Sequence, residues 1–528
     1  MNWLTVLLSS AAIFGGSLSN ASELGTNSAR ALPEAFTSLF NGKDLSGWYA
    51  TESIDPKVFF EVRRARGLTF AIQDKRRIVG QIKQARSATP QTWNVEDGVI
   101  TGKGSEKCLT TDEHFEDFEL RLEYLVSPGA HGGIHLKGSP QVKIWDPGDQ
   151  EQAKLGANKG SGGLFSNPEG ASGRVPLVVA DKPTGQWNVL RIIQVGARTS
   201  VWLNGKLVVN HAIMENAYWK PDPKRPLDTR EPLIITGPIR LQALDGPIRW
   251  RNVAVRRIEP EEAVKILTRN ADAEGFDSLF NGKDFSGWEG TTEDFEIIDG
   301  VLRNKVDNAG TMYTKDVFSD YVLRFELNVP PYGRGPNNGI GVHYPGASNH
   351  YPKDHPNRKA AGRKIYDASK AGMCEIQILD NTHQYHRTIG LQAFHLNGSA
   401  YGLLPAARNY HVSYTGARAL RASTTAWPCP TDADEWNFWM LTVRGSKLKL
   451  EQNGRVILDQ DIANVTQEKL DRVTDELYGA RPRHRKPITL LQAQRGIARR
   501  SGHIALVGHK APIGFRNILI KQLDDETK

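Results

Sequence analysis

Cysteine is scarce in this chain, which has only Cys108, Cys374 and Cys429 among its 528 residues. At most one disulfide could form from them, and no C-x-x-C pair offers a zinc or redox site. A disulfide-stapled scaffold is therefore excluded, and stability has to come from large hydrophobic cores. Cys374 would point to the opposite face of a strand from its neighbour Glu375, so we predict a small core residue and not a nucleophile.

Long apolar runs are also rare. The first, residues 3–19, is too short for a comfortable membrane span and lacks a preceding Lys or Arg. It ends at Ser19-Asn20-Ala21, a small-x-small pattern that resembles a signal-peptidase site. No later stretch is apolar enough to span. We therefore expect a signal peptide over residues 1–21, an exported periplasmic or extracellular protein, and no transmembrane segment.

A concentrated basic surface is missing too. The net charge is +8, but the basic residues are spread along the chain. The densest group, residues 57–86, lacks the interleaved aromatics of a nucleic-acid site, so we predict a solvated helical insertion and no nucleic-acid partner. At this length the chain is expected to contain two to four domains.

An internal repeat organises the chain. Residues 36–48 read FTSLFNGKDLSGW, and residues 276–288 read FDSLFNGKDFSGW, 240 positions later. Further matches follow in the same order, pairing 93–100 with 295–302, 115–123 with 318–326, 133–138 with 339–346, 186–188 with 435–437, 204–205 with 453–454, and 248–253 with 513–518. Such a colinear series indicates a tandem duplication. We expect tryptophans within these motifs, such as Trp48 and Trp288, to serve core packing more than sugar stacking.

Both repeats have the pattern of strands. Segments such as 120–126, 199–203 and 447–452 alternate apolar and polar residues, with Asn-Gly or Asp-Gly turns between them. This favours an all-β sandwich in each repeat. We place the first domain at 34–258, a partly helical linker at 259–274 and the second domain at 275–523, with a short helix at 261–269.

Two strands could carry a ligand-facing surface. In residues 373–380, M-C-E-I-Q-I-L-D, strand alternation puts Glu375 and Gln377 on one face and Ile376 and Ile378 on the other. The earlier segment 141–146, Q-V-K-I-W-D, has the same parity. A half-buried strand with an ordinary solvated face would show this pattern as well.

These motifs together resemble a known family. LFNGKDLSGW, the W-x-V-x-D-G turn, E-I-Q-I-L-D, G-S-A-Y-G at 398–402 and the closing F-R-N-I are similar to those of the DUF1080 family of 3-keto-disaccharide hydrolase-like proteins. The resemblance covers nearly all of the expected mature chain, once per repeat. It implies two tandem concanavalin A-like jelly-roll β-sandwiches.

The resemblance also implies a substrate. It is a 3-keto-glycoside or 3-keto-disaccharide, made by a separate sugar 3-oxidoreductase acting upstream. A C3 ketone acidifies the C2 proton, so one base could remove it and expel the C1 substituent, with water added afterwards. Such a site needs donors for an enolate oxygen and tolerates a divalent metal as Lewis acid, but it does not need the paired carboxylates of ordinary glycosidases.

In the second repeat, Glu375 is the candidate general base or metal ligand, and Gln377 is the candidate to orient substrate. His343 follows Gly341 by two residues, so alternation would put it on the same surface as a catalytic residue or second metal ligand. Three further residues in family-motif positions complete the expected site: His395 as a catalytic residue, and Tyr401 and His509 as substrate-binding residues. For each histidine, a hydrogen-bonded rim or core position is the alternative, and no H-x-H or H-E-x-x-H pattern supports a metal.

The first repeat departs from this pattern. Gln141 stands in the place of Glu375, Lys143 in that of Gln377, and Lys137 in that of His343. This repeat resembles a subfamily with a P-Q-V-x-I-W-D strand, so a distinct active type is one interpretation. Its candidate substrate-binding residues are His135, Lys137, Gln141 and Lys143. Asp146 and Asp380 each end a strand and are interpreted as turn or cap aspartates.

Other classes of function stay open. Sandwiches of this kind are often non-catalytic lectins or binding modules, for which loss of Glu375 would affect affinity at most. An ordinary glycoside hydrolase would act on an unoxidised disaccharide. A structural cell-surface protein would show no saturable sugar binding. Fold alone does not decide between these functions.

Overall fold

The structure is a computed structural model that describes residues 35–52, 72–138, 140–216, 233–234, 236–270, 275–305, 309–328, 337–346, 373–379, 395–406, 436–466, 468, 500–509 and 512–524. The expected signal peptide and Asp380 lie outside these residues. None of the described helices is both long and apolar enough to cross a membrane.

The described part of the first repeat is built mainly from short strands. They are β1 (Thr37–Ser38), β2 (Trp48–Thr51), β3 (Trp93–Glu96), β4 (Val99–Gly102), β5 (Cys108–Phe115), β6 (Phe118–Val126), β7 (His131–His135), β8 (Gln141–Ile144), β9 (Asn188–Val195), β10 (Arg198–Leu203), β11 (Lys206–Ile213), β12 (Gly237–Leu244) and β13 (Ile248–Arg257). Helix α1 (Ile72–Thr92) and helix α2 (Gln150–Ala153) interrupt them, with a 3-10 turn at Ala157–Lys159.

The second repeat uses the same plan. Helix α3 (Pro260–Asn270) precedes β14 (Asp277–Ser278), β15 (Trp288–Gly290), β16 (Phe295–Ile298), β17 (Val301–Asn304), β18 (Thr311–Thr314), β19 (Tyr321–Asn328), β20 (Asn337–Tyr344), β21 (Cys374–Leu379), β22 (Trp436–Arg444), β23 (Lys447–Gln452), β24 (Arg455–Asp461), β25 (His503–Val507) and β26 (Gly514–Gln522). Two 3-10 turns lie at Thr292–Asp294 and Ile462–Asn464.

Each repeat forms two antiparallel sheets with matching strand order. In the first, an eight-stranded sheet runs β11-β10-β9-β6-β13-β4-β3 with β1 beside β13, and a five-stranded sheet runs β2-β5-β12-β7-β8. The second repeats both orders, with the five-stranded sheet β15-β18-β25-β20-β21. The predicted all-β class with two tandem sandwiches is confirmed.

Alternation and turn chemistry explain the strands. In β6, Leu120, Leu122 and Tyr124 are buried while the residues between them are partly exposed. The predicted Asn-Gly turn between β10 and β11 has φ values of 50° at Asn204 and 81° at Gly205. Positive φ at both central residues is what a tight hairpin with the right-handed strand twist requires.

The motif tryptophans divide into two groups. Trp48 and Trp288 are buried in the cores of their sandwiches, as predicted. Trp436, by contrast, is half-buried beneath Arg516, whose guanidinium carbon lies 3.8 Å from the ring centroid. Such a stacked cation stabilises a tryptophan outside the core.

Both helical predictions are confirmed within the described residues. Helix α1 covers the C-terminal part of the basic insertion and packs on β2, where Thr89 Oγ1 accepts a 2.8 Å hydrogen bond from the Ala50 amide. Helix α3 begins at Pro260 in the linker. Its Ala263 and Leu267 pack with Val195 of the first sandwich and Phe438 of the second.

The two sandwiches meet beside α3. The Ala197 amide donates a 3.0 Å hydrogen bond to the carbonyl oxygen of Gly454. Gly196 is essential to this approach, since a Cβ there would lie 2.3 Å from the Asn453 carbonyl oxygen. Arg198 of the first sandwich also forms an ion pair with Glu451 of the second.

Candidate functional site

The second sandwich has a polar outer face on its five-stranded sheet. Ile376 and Ile378 of β21 belong to the main core, as alternation predicted. Glu375 and Gln377 lie on the other face, where Gln377 Nε2 donates a 2.7 Å hydrogen bond to Asn337 Oδ1 of neighbouring β20. The predicted parity of β21 is confirmed.

A glycine makes room for the Glu375 carboxylate. Gly339 lies opposite Gln377 in the β20–β21 register, and the Glu375 side chain lies over it. A Cβ built at Gly339 would be 2.2 Å from Glu375 Oε1 and 2.5 Å from its Cγ. The carboxylate therefore occupies the space that any larger residue at 339 would take.

The segment 395–406 brings two more predicted residues to this edge. The Tyr401 amide donates a 2.8 Å hydrogen bond to the Glu375 carbonyl oxygen. The ring of Tyr401 is 40% exposed and lies 5.0 Å from that of His395, which is buried. Glu375, Gln377, Tyr401 and His395 are thus grouped along one sheet edge.

The outer face of this sheet also carries two tyrosines and three aliphatic residues that were not predicted from the sequence. Tyr313, Tyr344, Met373, Ala505 and Val507 make a cluster separate from the main core. The Tyr313 ring lies 5.1 Å from that of His503, whose Nδ1 is 2.7 Å from the Thr314 carbonyl oxygen. His509 is half-buried two residues beyond the end of β25.

His343 does not join this group, and the prediction that it shares a face with Gly341 is wrong. The register of β20 shifts between Gly341 and Tyr344, and His343 has a φ of 53°. This bulge turns the side chain toward the core. There His343 Nε2 lies 3.0 Å from the Ser319 carbonyl oxygen and its ring packs on Tyr321.

In the first sandwich, the prediction that Lys137 belongs to the substrate-binding group is also wrong. It too is a positive-φ residue, at 53°, and it is fully buried. Its Nζ donates a 2.9 Å hydrogen bond to the Gly196 carbonyl oxygen and lies 3.7 Å from Asp117 Oδ1. Lys137 therefore supports the contact between the sandwiches and lies apart from the polar face that carries Gln141 and Lys143.

That polar face repeats the layout of the second sandwich. Gly133 pairs with Lys143 as Gly339 pairs with Gln377. The Gln141 side chain lies over Gly133, and its Nε2 donates to Gln242 Oε1 at 2.6 Å. His135 pairs with Gln141 in the same register.

Lys143 and His131 occupy the positions that Gln377 and Asn337 have in the second sandwich. Lys143 Nζ lies 2.9 Å from His131 Nδ1, and His131 Nε2 lies 2.9 Å from Asp245 Oδ2. Burial lowers the pKa of Lys143 to about 8, against the opposing effect of Asp245. Burial and the nearby Lys143 charge also lower the pKa of His131.

Aromatic rings surround this amine. Lys143 Nζ lies 4.1 Å from the Trp145 ring centroid and 5.3 Å from that of Phe165. Phe165 is 37% exposed and corresponds to Tyr401, because its amide bonds the Gln141 carbonyl as the Tyr401 amide bonds that of Glu375. Asp146, in contrast, accepts hydrogen bonds from the Gly129 and Gly148 amides, as a turn aspartate does.

A metal finds little support among the described side chains. They include no group of three or more His, Cys, Asp or Glu residues placed to hold an ion. Of the two candidate ligands, Glu375 lies over Gly339 on the outer face while His343 turns toward the core. These two residues do not fit one metal site, so no chemical step is assigned to a metal.

His131 and Asn337 are the functional candidates that sequence reasoning missed. Each stands two residues before the glycine of the repeated G-I-H or G-I-G motif, and each contacts the residue at position 143 or 377. The repeat contained the signal, since both positions carry a polar side chain. Only the register of the strands shows that they face Lys143 and Gln377.

Fold and site define a protein of two tandem β-sandwiches, each with a polar, aromatic-edged face. A family model of the 3-keto-alpha-glucoside-1,2-lyase-like domain matches residues 35–256 and again residues 275–521. The chain belongs to this family, with one copy in each sandwich, and is carbohydrate-active in class.

Individual relatives match about half of the chain. A 3-keto-disaccharide hydrolase of Bacteroides thetaiotaomicron is 24% identical over 268 residues, which are 48% of this chain and 80% of that protein. A solved candidate glycosyl hydrolase of Parabacteroides distasonis is 21% identical, with a TM-score of 0.31, over 47% of this chain and 99% of its own. A Bacillus subtilis protein with a galectin-like fold is 13% identical, with a TM-score of 0.26, over 47% and 94% of the two chains.

Proposed function

We propose that the protein cleaves glycosides whose sugar ring carries a ketone at C3, and that the second sandwich performs the reaction. Family membership supports the substrate class. The observation that carries the assignment to the second sandwich is the Glu375 carboxylate held over Gly339, because the first sandwich has the amide of Gln141 in that place. A carboxylate can accept a proton at neutral pH, and a primary amide cannot.

The chemistry needs a base beside an acidified C–H bond. With the ketone at C3, Glu375 removes the C2 proton, the electrons form the enolate, and the C1 substituent leaves. Water then adds to the unsaturated sugar, so that the net result is hydrolysis. The Gln377–Asn337 amide pair orients the ring, and His395 lies at the same edge to protonate the leaving group.

Sugar binding is assigned to the ring of Tyr401. An aromatic ring that remains 40% exposed beside a carboxylate offers an apolar surface to the C–H face of a pyranose. Phe165 provides the same kind of ring in the first sandwich. These two exposed rings also favour the alternative of a non-catalytic lectin, which would use them without turnover.

The decisive assay is aglycone release from a 3-keto-glucoside by the purified protein, with and without a chelator. Glu375→Gln should abolish release and still bind the sugar. The equivalent position already carries Gln141, so a glutamine fits this place in the fold. Release from the unoxidised glucoside would indicate an ordinary glycosidase. Saturable binding with no release by the native protein would indicate a lectin.

Export and an upstream oxidoreductase belong to the same proposal. Residues 1–21 have the length and the Ser19-Asn20-Ala21 ending of a signal peptide. N-terminal sequencing of the exported protein should therefore give residue 22 as its first residue. An N-terminus at Met1 in a cytoplasmic fraction would contradict export. The C3 ketone itself has to come from an enzyme that oxidises the sugar before this protein acts.

A further inference from the structure

The polar face of the first sandwich contains a buried amine that the proposed reaction does not use. Lys143 is only 5% exposed, yet its Nζ is directed at His131 Nδ1, 2.9 Å away, between the rings of Trp145 and Phe165. A lysine so completely buried is uncommon unless it is paired. Its neighbour is an imidazole and not a carboxylate.

The hydrogen-bond geometry fixes the role of that imidazole. His131 Nε2 lies 2.9 Å from Asp245 Oδ2, so the ring hydrogen is on Nε2 and donates to the carboxylate. Nδ1 is then left as an acceptor facing Lys143. The amine of Lys143 thus contacts a base, His131, and the base contacts a carboxylate that orients it, and proteins activate nucleophiles through contacts of this kind.

We propose that Lys143 is a nucleophilic amine that condenses with the carbonyl group of an oxidised sugar, making the first sandwich a second reactive site. The ligand class rests on the proposed function. The carbonyl carbon forms a bond to Nζ, and the carbonyl oxygen leaves as water with two hydrogens from the lysine ammonium. The product is a protonated imine, and no oxidant or reductant is consumed. His131 is the catalytic acid–base residue of this step, since its Nδ1 accepts one of these protons and returns it to the departing oxygen.

The electrostatics around the amine favour this chemistry. Burial lowers the pKa of Lys143 to about 8, so a larger fraction of the amine is neutral near pH 7 than in an exposed lysine. The charged groups that face the pair are Asp245 and Asp149, which raise the pKa of His131, and Arg174, stacked on Phe165. Burial and Lys143 outweigh the two carboxylates, and the imidazole stays neutral.

The second sandwich serves as the internal comparison. Gln377 and Asn337 occupy the places of Lys143 and His131 and form a 2.7 Å amide hydrogen bond there. An amide nitrogen does not attack a ketone under these conditions. The same framework therefore accepts an unreactive pair, so Lys143→Gln and His131→Asn are variants that the fold already accommodates in its other copy.

Imine trapping tests the proposal on the full-length protein. A methyl 3-keto-glucoside is added with cyanoborohydride, and modified lysines are located by peptide mass spectrometry. Lys143 should be labelled at least about tenfold faster at pH 7 than Lys154, whose side chain is 71% exposed and serves as an internal standard. Labelling of Lys143 no faster than that of Lys154 would overturn the proposal.

Two variants separate reactivity from structure. In His131→Asn, labelling of Lys143 should slow about tenfold at pH 7, and the lower inflection of its pH profile should disappear. An unchanged profile would mean that His131 does not handle the proton. Glu375→Gln should leave the labelling intact while it abolishes cleavage. Labelling without cleavage in the native protein would refute only the proposed function, and cleavage without preferential labelling would refute only the amine site.

Discussion

Arg198 of the first sandwich and Glu451 of the second form a two-pronged ion pair. Arg198 Nε donates to Glu451 Oε1 at 2.9 Å, and Nη2 donates to Oε2. The Glu451 side chain is only 2% exposed. Removing Arg198 would therefore leave a buried carboxylate without a cation, and we predict that Arg198→Ala lowers the free energy of unfolding by about 3 kcal/mol. Urea unfolding followed by fluorescence measures the change.

Arg86→Ala is the matched control, because the side chains of the Arg86–Asp112 pair are 47% and 33% exposed, and loss of a pair so accessible to water should cost less than about 1 kcal/mol. The double variant Arg198→Met with Glu451→Gln should recover much of the loss by removing the unpaired charge. Equal effects of Arg198→Ala and Arg86→Ala would show that the ion pair does not stabilise the contact between the sandwiches.

Gly339 positions the candidate base, which makes it a sensitive test site. In Gly339→Ala the new Cβ would meet the far end of the Glu375 side chain at 2.2 Å, so the carboxylate has to move. We predict at least a tenfold loss of kcat/KM on a 3-keto-glucoside, since a base displaced by about 1 Å loses much of its effect. Thermal stability should change little, because only a flexible side chain is displaced.

Gly341→Ala, in the same strand, is the comparison for this substitution. Gly341 pairs with Glu375 in the strand register, but its Cβ would first meet Met373 Sδ at 2.5 Å and Ala505 Cβ at 2.8 Å, and Glu375 is not among its three nearest atoms. It should cost stability and spare turnover. Full activity in Gly339→Ala would mean that Glu375 does not act from its place over this glycine.

Sequence reasoning succeeded where alternation continues without interruption. The parity of β21 placed Glu375 and Gln377 on one face, and the repeat placed their counterparts in β8. It failed at His343, where the register of β20 shifts, and at Lys137, which follows the end of β7, because both residues adopt a positive φ that interrupts the alternation. Histidine is enriched among non-glycine residues with positive φ, so His343 carried a weak signal of this conformation, whereas Lys137 carried none.

Contacts between residues far apart in the sequence could not be predicted either. Asp245 reaches His131 from the turn after β12, more than a hundred positions along the chain. No local pattern predicts such a pair, because it depends on the order of strands in the sheet. The repeat does show a polar residue at 131 and at 337, but their partners follow only from the register of β7 with β8 and of β20 with β21.

Lys137 should make stability depend on pH. Burial lowers its pKa to about 7, with Arg455 adding to the effect and Asp117 and Glu116 opposing it. The unfolded lysine, with a pKa of about 10.4, binds more protons than the folded one between pH 7 and 10. The free energy of unfolding therefore rises with pH in that window, by up to about 1.4 kcal/mol per pH unit from this group.

Lys137→Met removes the titrating group while keeping an apolar side chain in the buried position. Urea midpoints at pH 7, 8 and 9 should rise more steeply for the native protein than for the variant. Groups that titrate in both proteins cancel in this comparison. Parallel curves for the two proteins would contradict a lowered pKa at Lys137.

The exposed rings should separate the roles of the two sandwiches. Tyr401→Ala removes a stacking surface beside Glu375, so KM for a 3-keto-glucoside should rise about two- to tenfold, which corresponds to roughly 0.5–1.5 kcal/mol. Its 40% exposure implies little loss of stability. Tyr401→Phe keeps the ring and should retain most of the affinity.

Phe165→Ala should leave this KM unchanged if cleavage belongs to the second sandwich. A raised KM in Phe165→Ala alone would instead assign cleavage to the first sandwich, and unchanged values in both alanine variants would show that neither ring binds the sugar.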